Sequence, residues 1–477
     1  MATKRVIRQS RIFSSRPSRF AMLCFGFVAG VIAGLIWWNE KRSMRVDVGP
    51  AVPDRQQLGD VPRRSDGLPA DPVSTASERR KTASAIEGQA ELLADAGKVA
   101  ESLEEYVRAF SLRMELLEAD PLDVESRTQL AVSAHQLHAL AIDQLHDYVL
   151  AEWHAREHFR SVADFLDREP DLEMRWRREY FRALLDLGEA LQRQGDFEGA
   201  EIAGRKAIAW FEQQQAGADP ADSERLDLMR AWIVLGESEL NLNRGDDAAR
   251  SLNSASELGA GRFGDGPYRL DADMLRLRNC LALAFVALHR EDLSSAARWL
   301  EMAFGISDAL RESGMNSPLV DAGFPSSGLK QIATAAHLRA QPNEPDGPDG
   351  GPVSASSDRE AVESAQLFLQ CLRWLRHGET SDAREALHRS QQQMPHASLL
   401  RIADAMVACN AAAATNDALE KSARLEEAWD GVASALDLDP ALARILHLTP
   451  ELAALRSQPA FAERLRDRFA TPRNSDP

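Results

Sequence analysis

The sequence predicts an all-α fold in which antiparallel helix pairs stack into an α-solenoid, preceded by one transmembrane helix. Small and apolar residues recur in the same order at a spacing of about 48 residues. Prolines follow the same period, 49, 50 and 47 residues apart, at Pro121, Pro170, Pro220 and Pro267. A proline stops a helix because it lacks the backbone N–H and its ring clashes with the preceding turn. Together, periodic packing positions and periodic breakers indicate stacked helical units.

One unit, Tyr180 to Phe211, shows the order of the small and apolar positions. Leu184, Leu187 and Leu191 recur at spacings of three and four, which places them on one face of a helix. Gly195 then allows the chain to turn, and small residues on the second helix allow close approach of the two helices. The small and apolar positions of the second helix are Ala200, Ala207 and Ile208.

The order is repeated before and after this unit, giving five units in all. The following unit holds Trp232, Leu235, Gly236, Ala248, Leu252 and Ala255. The one after it holds Cys280, Ala284, Leu293, Ala296, Leu300 and Ala303. Ahead of them lie Ala90, Leu93, Gly97, Val99, Tyr106 and Ala109, and a degraded copy headed by Leu137 and His138.

This pattern resembles the tetratricopeptide (TPR) repeat, whose signature contains Trp-x2-Leu-Gly, a later Ala, an aromatic residue and a Pro. A plain TPR has 34 residues, so these units are elongated, and the extra length is expected in the second helices. The resemblance implies a solenoid with a groove that binds protein or peptide partners. A shorter copy is expected near the C-terminus, at Cys371, Gly378, Ala383, Leu387 and Pro395.

The N-terminal region has a different character. An uncharged run from Phe20 to Trp38 follows six basic residues and precedes three more. Nineteen helical residues span about 28 Å, enough for a bilayer core. The excess of basic residues ahead of the run places the N-terminus in the cytoplasm by the positive-inside rule. The sequence therefore predicts a single-pass protein of the cell inner membrane with an extracytoplasmic main domain.

These observations divide the chain into six parts. They are a basic tail (1–19), a transmembrane signal anchor (20–38), a flexible linker (39–81), five elongated TPR-like repeats (82–310), an irregular linker rich in Pro and Gly (311–357), and C-terminal TPR-like helices with a cap (358–470). Within the second linker, Leu329 to Arg339 is a candidate short helix.

Charge excludes one class of partner. Residues 46–477 hold 47 basic and 72 acidic residues, a net charge of −25. Nucleic acid and anionic lipid are therefore disfavoured, because both require an attractive field. No phosphate loop, His-Glu-x-x-His, Gly-x-Ser-x-Gly or kinase signature occurs, so neither an enzyme nor a cofactor is expected.

Five of the eleven histidines fall between positions 135 and 158. His135 and His138, and likewise His154 and His158, have spacings that put each pair on one helix face, so metal chelation is one interpretation. The other is that His138, His154 and His158 replace packing residues in a degraded repeat. Because no Cys, Asp or Glu completes a convincing ligand set, no metal is predicted.

A second constellation follows from the repeat register. Arg182, Arg230 and Arg278 occupy the second position of three successive first helices, a position that faces the groove in TPR proteins. Three guanidinium groups on one wall would bind carboxylates, which favours an acidic or C-terminal peptide. Glu189 and Glu237, seven residues further on, are the alternative partners of these arginines.

The sequence thus favours a non-enzymatic scaffold for protein–protein interaction. The alternative is a sensory or accessory module, because similar TPR regions follow the transmembrane helix in bacterial serine/threonine receptor kinases. A metal-binding enzyme built on the histidines is the third hypothesis. Cys280, Cys371 and Cys409 are interpreted as core residues, with a Cys371–Cys409 disulfide left open.

Overall fold

The computed structural model describes residues 75–470 except residue 97 and the segments 145–146, 169–173, 216–219, 261–262, 264–267, 314–326, 341–355, 440–441 and 443–445. The described residues are helical and contain no β-strand, which confirms the all-helical part of the predicted fold class. A π-helical turn, Leu140–Gln144, follows the third helix, and a 3-10 turn, Pro450–Leu452, precedes the sixteenth.

The helices are α1 Ala76–Asp95, α2 Val99–Ala119, α3 Val124–Ala139, α4 Tyr148–Arg168, α5 Met174–Gln194, α6 Phe197–Gln215, α7 Asp222–Asn241, α8 Gly245–Gly259, α9 Arg269–His289, α10 Leu293–Glu312, α11 Ser327–Ala340, α12 Ser356–Arg376, α13 Thr380–Gln393, α14 Ser398–Ala414, α15 Ala418–Leu438, α16 Ala453–Arg456 and α17 Pro459–Ala470.

The membrane-spanning part of the predicted fold class requires correction. Among the helices of the described chain, none is both long and apolar enough to cross a bilayer. The predicted transmembrane helix ahead of the solenoid and the inner-membrane localisation built on it are therefore wrong for the described chain. The segment 20–38, on which that prediction rested, lies outside the described residues, as do the basic tail and most of the predicted linker.

Helix α1 begins five residues before the predicted end of the linker, at residue 81, because its N-terminus is capped. The Thr75 hydroxyl accepts from the Glu78 backbone N–H at 3.3 Å, and the Glu78 carboxylate accepts from the Thr75 N–H at 2.7 Å. This reciprocal pair satisfies two backbone donors that a helix start otherwise leaves without partners. The Thr-x-x-Glu spacing was a helix-start signal that the sequence interpretation missed.

Packing follows chain order through the first ten helices. Helices α1 and α2, α5 and α6, α7 and α8, and α9 and α10 form closely packed pairs. The last three pairs contact one another in order, and α2 packs on α3. Helix α4 packs on both α3 and α5. In addition, α5 contacts α7 and α7 contacts α9, so alternate helices lie side by side. This arrangement is the helical-repeat pattern that the 48-residue period predicts, since each helix buries its apolar face on its sequence neighbours.

The extra length of each unit is shared between its helices. Helix α9 has 21 residues and α10 has 20, and α7 has 20 against 15 for α8. The expectation that the second helices alone are extended is therefore wrong. Apolar positions continue along the first helices to their ends, as at Leu240 and Leu288, and this burial stabilises the additional turn.

The register places a small residue where the helices of a pair approach most closely. Gly188, Gly236 and Ala284 occupy this position on α5, α7 and α9. A Cβ added to Gly236 would lie 2.5 Å from Leu252 Cγ and 3.2 Å from the Ala248 carbonyl oxygen. The α7–α8 pair therefore requires glycine at position 236. At the equivalent position of the α9–α10 pair, residue 284, alanine is accommodated.

Replacing Gly236 with alanine is expected to lower the free energy of unfolding by about 1–3 kcal/mol, the usual effect of overpacking. The matched control is Gly305→Ala on α10, where the added Cβ would meet nothing within 4 Å. There alanine is expected to be neutral or stabilising, because it restricts the unfolded chain. Urea denaturation of the two variants measures the difference, and equal effects would contradict the close-approach argument.

Part of the predicted irregular linker is folded. Helix α11, Ser327–Ala340, lies within 311–357, and Leu329, Ile332 and Ala336 on it are fully buried. It packs between α10 and α12 and so connects the repeat pairs to the C-terminal helices. The Pro- and Gly-rich stretch 341–355 lies outside the described residues.

The C-terminal residues return to helices far away in the sequence. We call residues 446–458 the closing segment. Its Leu446, Leu448, Leu452 and Leu455 are buried in one core with α7, α9, α12 and α14. The sequence predicted a terminal cap here, but the segment also contacts the end of α7, where Asn241 donates to the His447 carbonyl oxygen at 2.8 Å, and the turn after α5. At the α5–α6 turn, a Cβ on Gly195, whose φ is +87°, would lie 3.0 Å from backbone atoms of Arg456 and Ser457.

Candidate functional site

Three successive first helices, α5, α7 and α9, share a network of charged side chains, which we call the charge network. It is built around Arg278 on α9. Arg278 donates to both carboxylate oxygens of Glu237 on α7, at 2.9 Å from Nε and 2.6 Å from Nη2. It also donates to Glu189 and, at 3.2 Å, to Gln192, both on α5. One guanidinium therefore joins three helices.

Arg230 on α7 repeats the arrangement one unit earlier. It donates to Glu189 and lies 2.9 Å from Asp186 Oδ1, both on α5. Each of these two arginines thus pairs with a glutamate of the preceding unit. The sequence placed Glu189 and Glu237 on the same helices as Arg182 and Arg230, but the ion pairs run between helices.

Arg182 on α5 differs from its two equivalents. It donates to Asp227 at 3.2 Å and to Glu179 at 3.3 Å, and its side chain is 36% exposed. Arg230 and Arg278 are 16% and 18% exposed and their main acceptors are buried. Of the three arginines predicted to bind a partner, Arg182 therefore keeps the largest accessible surface.

Burial and pairing act in opposite directions on these groups. Burial alone would raise the pKa of Glu237, but Arg278 outweighs it and holds that pKa well below its usual range. The pKa of Glu189 is lowered against burial by Arg230 and Arg278 together. The pKa of Asp186 is lowered against burial by His138 and Arg230. The carboxylates are therefore charged at neutral pH, and each is paired with a cationic side chain of the same chain.

Arg182, Arg230 and Arg278, the residues of the predicted carboxylate clamp, lie in or beside this network, and most of their donors have acceptors within the chain. Sequence reasoning missed Asp186, Gln192 and Asp227, which complete the charge network. Asp186 stands four residues after Arg182 and three before Glu189, so the helical period put it on the same face. That spacing was the available signal.

The histidine group adjoins the charge network. His138 Nε2 lies 3.4 Å from Glu189 Oε2 and 4.0 Å from Asp186 Oδ1, while His135 Nδ1 lies 3.5 Å from Asp186 Oδ2. His154 and His158 point into the core from α4 and are buried. Nowhere in the described chain do three or more His, Cys, Asp or Glu side chains form a group able to hold a metal ion.

The three cysteines in the described part of the chain, Cys280, Cys371 and Cys409, are buried and free. Cys371 and Cys409 form no disulfide, so the pairing left open by the sequence is absent. Burial raises the pKa of the Cys280 thiol to about 11 and that of both Cys371 and Cys409 to about 12. Such thiols are protonated at neutral pH and behave as small apolar residues.

The arrangement brings charged side chains of three helices together on one face. The charge network has guanidinium donors and carboxylate acceptors on one face of successive helices, with Arg182 at its accessible end. Neither a protein-family model nor a curated protein matches the chain.

Proposed function

We propose that this chain is a non-enzymatic, TPR-like scaffold that binds a protein or peptide partner through the face shared by α5, α7 and α9. The observation that carries the proposal is the repeated register of Arg182, Arg230 and Arg278 on neighbouring first helices. Stacked helix pairs present such positions as one continuous surface, which suits an extended ligand.

The accessible donors indicate the chemistry of the partner. Arg182 is a third exposed, and Arg178 beside it shares the acceptor Asp227 at 3.0 Å. Arg178 and Arg182 face two carboxylates, Asp227 and Glu179, so this end of the charge network is locally balanced although the chain as a whole is acidic. A carboxylate placed next to Arg182 interacts with it more strongly than with acidic groups beyond a Debye length of about 10 Å. In this proposal the partner segment therefore carries a carboxylate that accepts from Arg182.

The charge network gives this face a fixed geometry. Arg230 and Arg278 bind three helices together through buried carboxylates, so the helices that carry Arg182 and its neighbours are held in register. A preorganised surface loses less conformational entropy on binding than a mobile one. In this proposal, Arg182 contacts the partner while Arg230 and Arg278 position the surface.

Replacing Arg182 with alanine is expected to weaken partner binding by about 1–3 kcal/mol, the range for a charge-assisted hydrogen bond. Because Arg182 is more than a third exposed, its contacts with Asp227 and Glu179 are screened by solvent, and the stability of the chain is expected to change by less than about 1 kcal/mol. Affinity capture with immobilised wild-type chain and variant, followed by titration of each captured protein, measures the loss.

The control for this experiment is Arg389→Ala on α13, which removes an exposed arginine paired with Glu385 away from the proposed face. It carries the same change in net charge and is expected to capture partners as the wild type does. Equal affinity of the Arg182 variant and the wild type for every captured protein would reject this face as the binding site.

A further inference from the structure

Two histidines are enclosed where α4 packs against α3 and α5. His154 and His158 lie four residues apart on α4, and their side chains are 0% and 1% exposed. The ring of His154 packs edge-on against Phe110 of α2, with centroids 4.9 Å apart, and against Trp153 at 4.7 Å. His154 therefore occupies an aromatic environment that favours an uncharged ring.

Neither histidine has a hydrogen-bond partner for either ring nitrogen among the described residues. Buried polar atoms are normally paired, because an unpaired one retains its desolvation penalty. For a neutral imidazole that penalty is modest, but for an imidazolium in the same place it is far larger. The surroundings of both rings thus tolerate only the neutral form.

The charged and titratable groups that face these rings come from two other helices. Those near His158 are His135 and His138 on α3 and Asp186 and Arg182 on α5, and His138 also faces His154. Asp186 would favour a protonated ring, but it already pairs with Arg230 and lies beside His138. Arg182 and the neighbouring histidines oppose protonation. Among the described residues, neither ring is within hydrogen-bond reach of an acceptor, so an imidazolium on α4 would be buried without a hydrogen-bond partner.

We propose that the junction of α3, α4 and α5 is an acid-sensitive element that opens when His154 and His158 take up protons. The enclosed rings can gain protons only if α4 moves away from α3 and α5 and admits water. The proposal is independent of the proposed binding function, because it concerns helix packing and none of these histidines is assigned to the partner.

The direction of the pH effect follows from the protonation states. Burial lowers the pKa of His154 to about 3 and that of His158 to about 4. In the open form both pKa values return to about 6.5. The stability that the neutral rings contribute is fully present above pH 6.5 and is lost as pH falls from 6.5 towards these folded values.

Hydrogen exchange of the whole chain, measured at pH 7, 6 and 5 and corrected for intrinsic exchange rates, tests the proposal. Between pH 6 and pH 5, protonation of each histidine lowers the equilibrium constant for closing about sevenfold. The two effects multiply, so the population of the open form that exchanges the amides of α3 to α5 is expected to rise roughly fiftyfold. Peptides from α14 and α15, which contain no histidine, are expected to change less.

The variants His154→Phe and His158→Leu replace the rings with apolar side chains of similar size. Each is expected to reduce the fiftyfold change to about sevenfold, because one titrating group remains. The control His396→Gln removes an exposed histidine and is expected to keep the wild-type response. An unchanged response in both core variants would overturn the proposal.

A second measurement avoids any variant that fails to fold. In the wild-type chain, the ring-nitrogen NMR signals of His154 and His158 are expected to remain those of neutral imidazole down to the pH at which α3 to α5 open. Titration of these signals near pH 6.5 in the closed chain would show that the rings accept protons without opening, and would also overturn the proposal.

Discussion

Replacing Arg278 with alanine is expected to lower the free energy of unfolding by about 3–5 kcal/mol. The change leaves Glu237, which is fully buried, without its two guanidinium hydrogen bonds, and removes one of the two arginines that neutralise Glu189. An uncompensated buried carboxylate costs more than the ion pair contributes, so the loss reflects the stranded charges. Urea denaturation followed by circular dichroism measures the effect.

Two further variants separate charge from packing. The double variant Arg278→Met with Glu237→Met removes both ends of the pair and is expected to be less destabilised than Arg278→Ala, because no buried charge is stranded. The exposed arginine Arg389, whose partner Glu385 is equally exposed, is the control, and its replacement with alanine is expected to have little effect. A double variant as unstable as the single one would contradict this account.

The same pairing fixes the response of Arg278→Ala to acid. In the folded wild type the pKa of Glu237 is lowered, so the stability from this pair is present above the unfolded carboxyl value of about 4.3 and is lost as pH falls through the folded value. Without Arg278, burial raises that pKa instead. The variant is therefore expected to recover stability relative to the wild type as pH falls below about 5.

Replacing Arg456 with alanine is expected to lower the free energy of unfolding by about 3 kcal/mol. Arg456 lies in the closing segment, is 3% exposed, and donates to the carbonyl oxygens of His447 and Thr449 at 2.6 and 3.0 Å and to Asn241 Oδ1 on α7. These three acceptors would be left buried without this donor. Its guanidinium also lies 4.9 Å from the Phe197 ring of α6.

Arg456 is buried among uncharged acceptors, and burial lowers its pKa to about 9. Arg456→Lys keeps the charge but not the fork of donors, so it is expected to recover only part of the lost stability. The comparison variant Arg464→Ala, on α17, removes an accessible arginine paired with Glu426 and is expected to have a smaller effect. Equal losses for Arg456→Ala and Arg464→Ala would reject the role assigned to the closing segment.

The local sequence predicted the repeat units well because their signals are short-range. Leucines at spacings of three and four define the buried face of each helix, and the 48-residue register brings Gly188, Gly236 and Ala284 to equivalent positions. The N-terminal limit of α1 was missed, because a capping pair extends that helix. The sequence offered a short helix from Leu329 to Arg339, and α11 begins two residues earlier and is buried through Leu329, Ile332 and Ala336.

The charge network was predicted in part. The sequence identified Arg182, Arg230, Arg278, Glu189 and Glu237 as a set, because a fixed period places them in register. It did not show that Arg278 would bind Glu237, 41 residues earlier, and Glu189, 89 residues earlier. The choice between a partner's carboxylate and an internal one depends on the distance between neighbouring helices, which the periodicity of one helix does not contain.

By itself, then, the sequence determined the helical class, the repeat register and the residues that share a face, because each depends on spacings within one helix or one repeat. Only the tertiary structure decided which charges are neutralised, how His154 and His158 are enclosed, and where the closing segment lies. Arg456 meets Asn241 across 215 residues of chain. Such a contact follows from how the stacked helices bring distant ends together, and no local pattern specifies it.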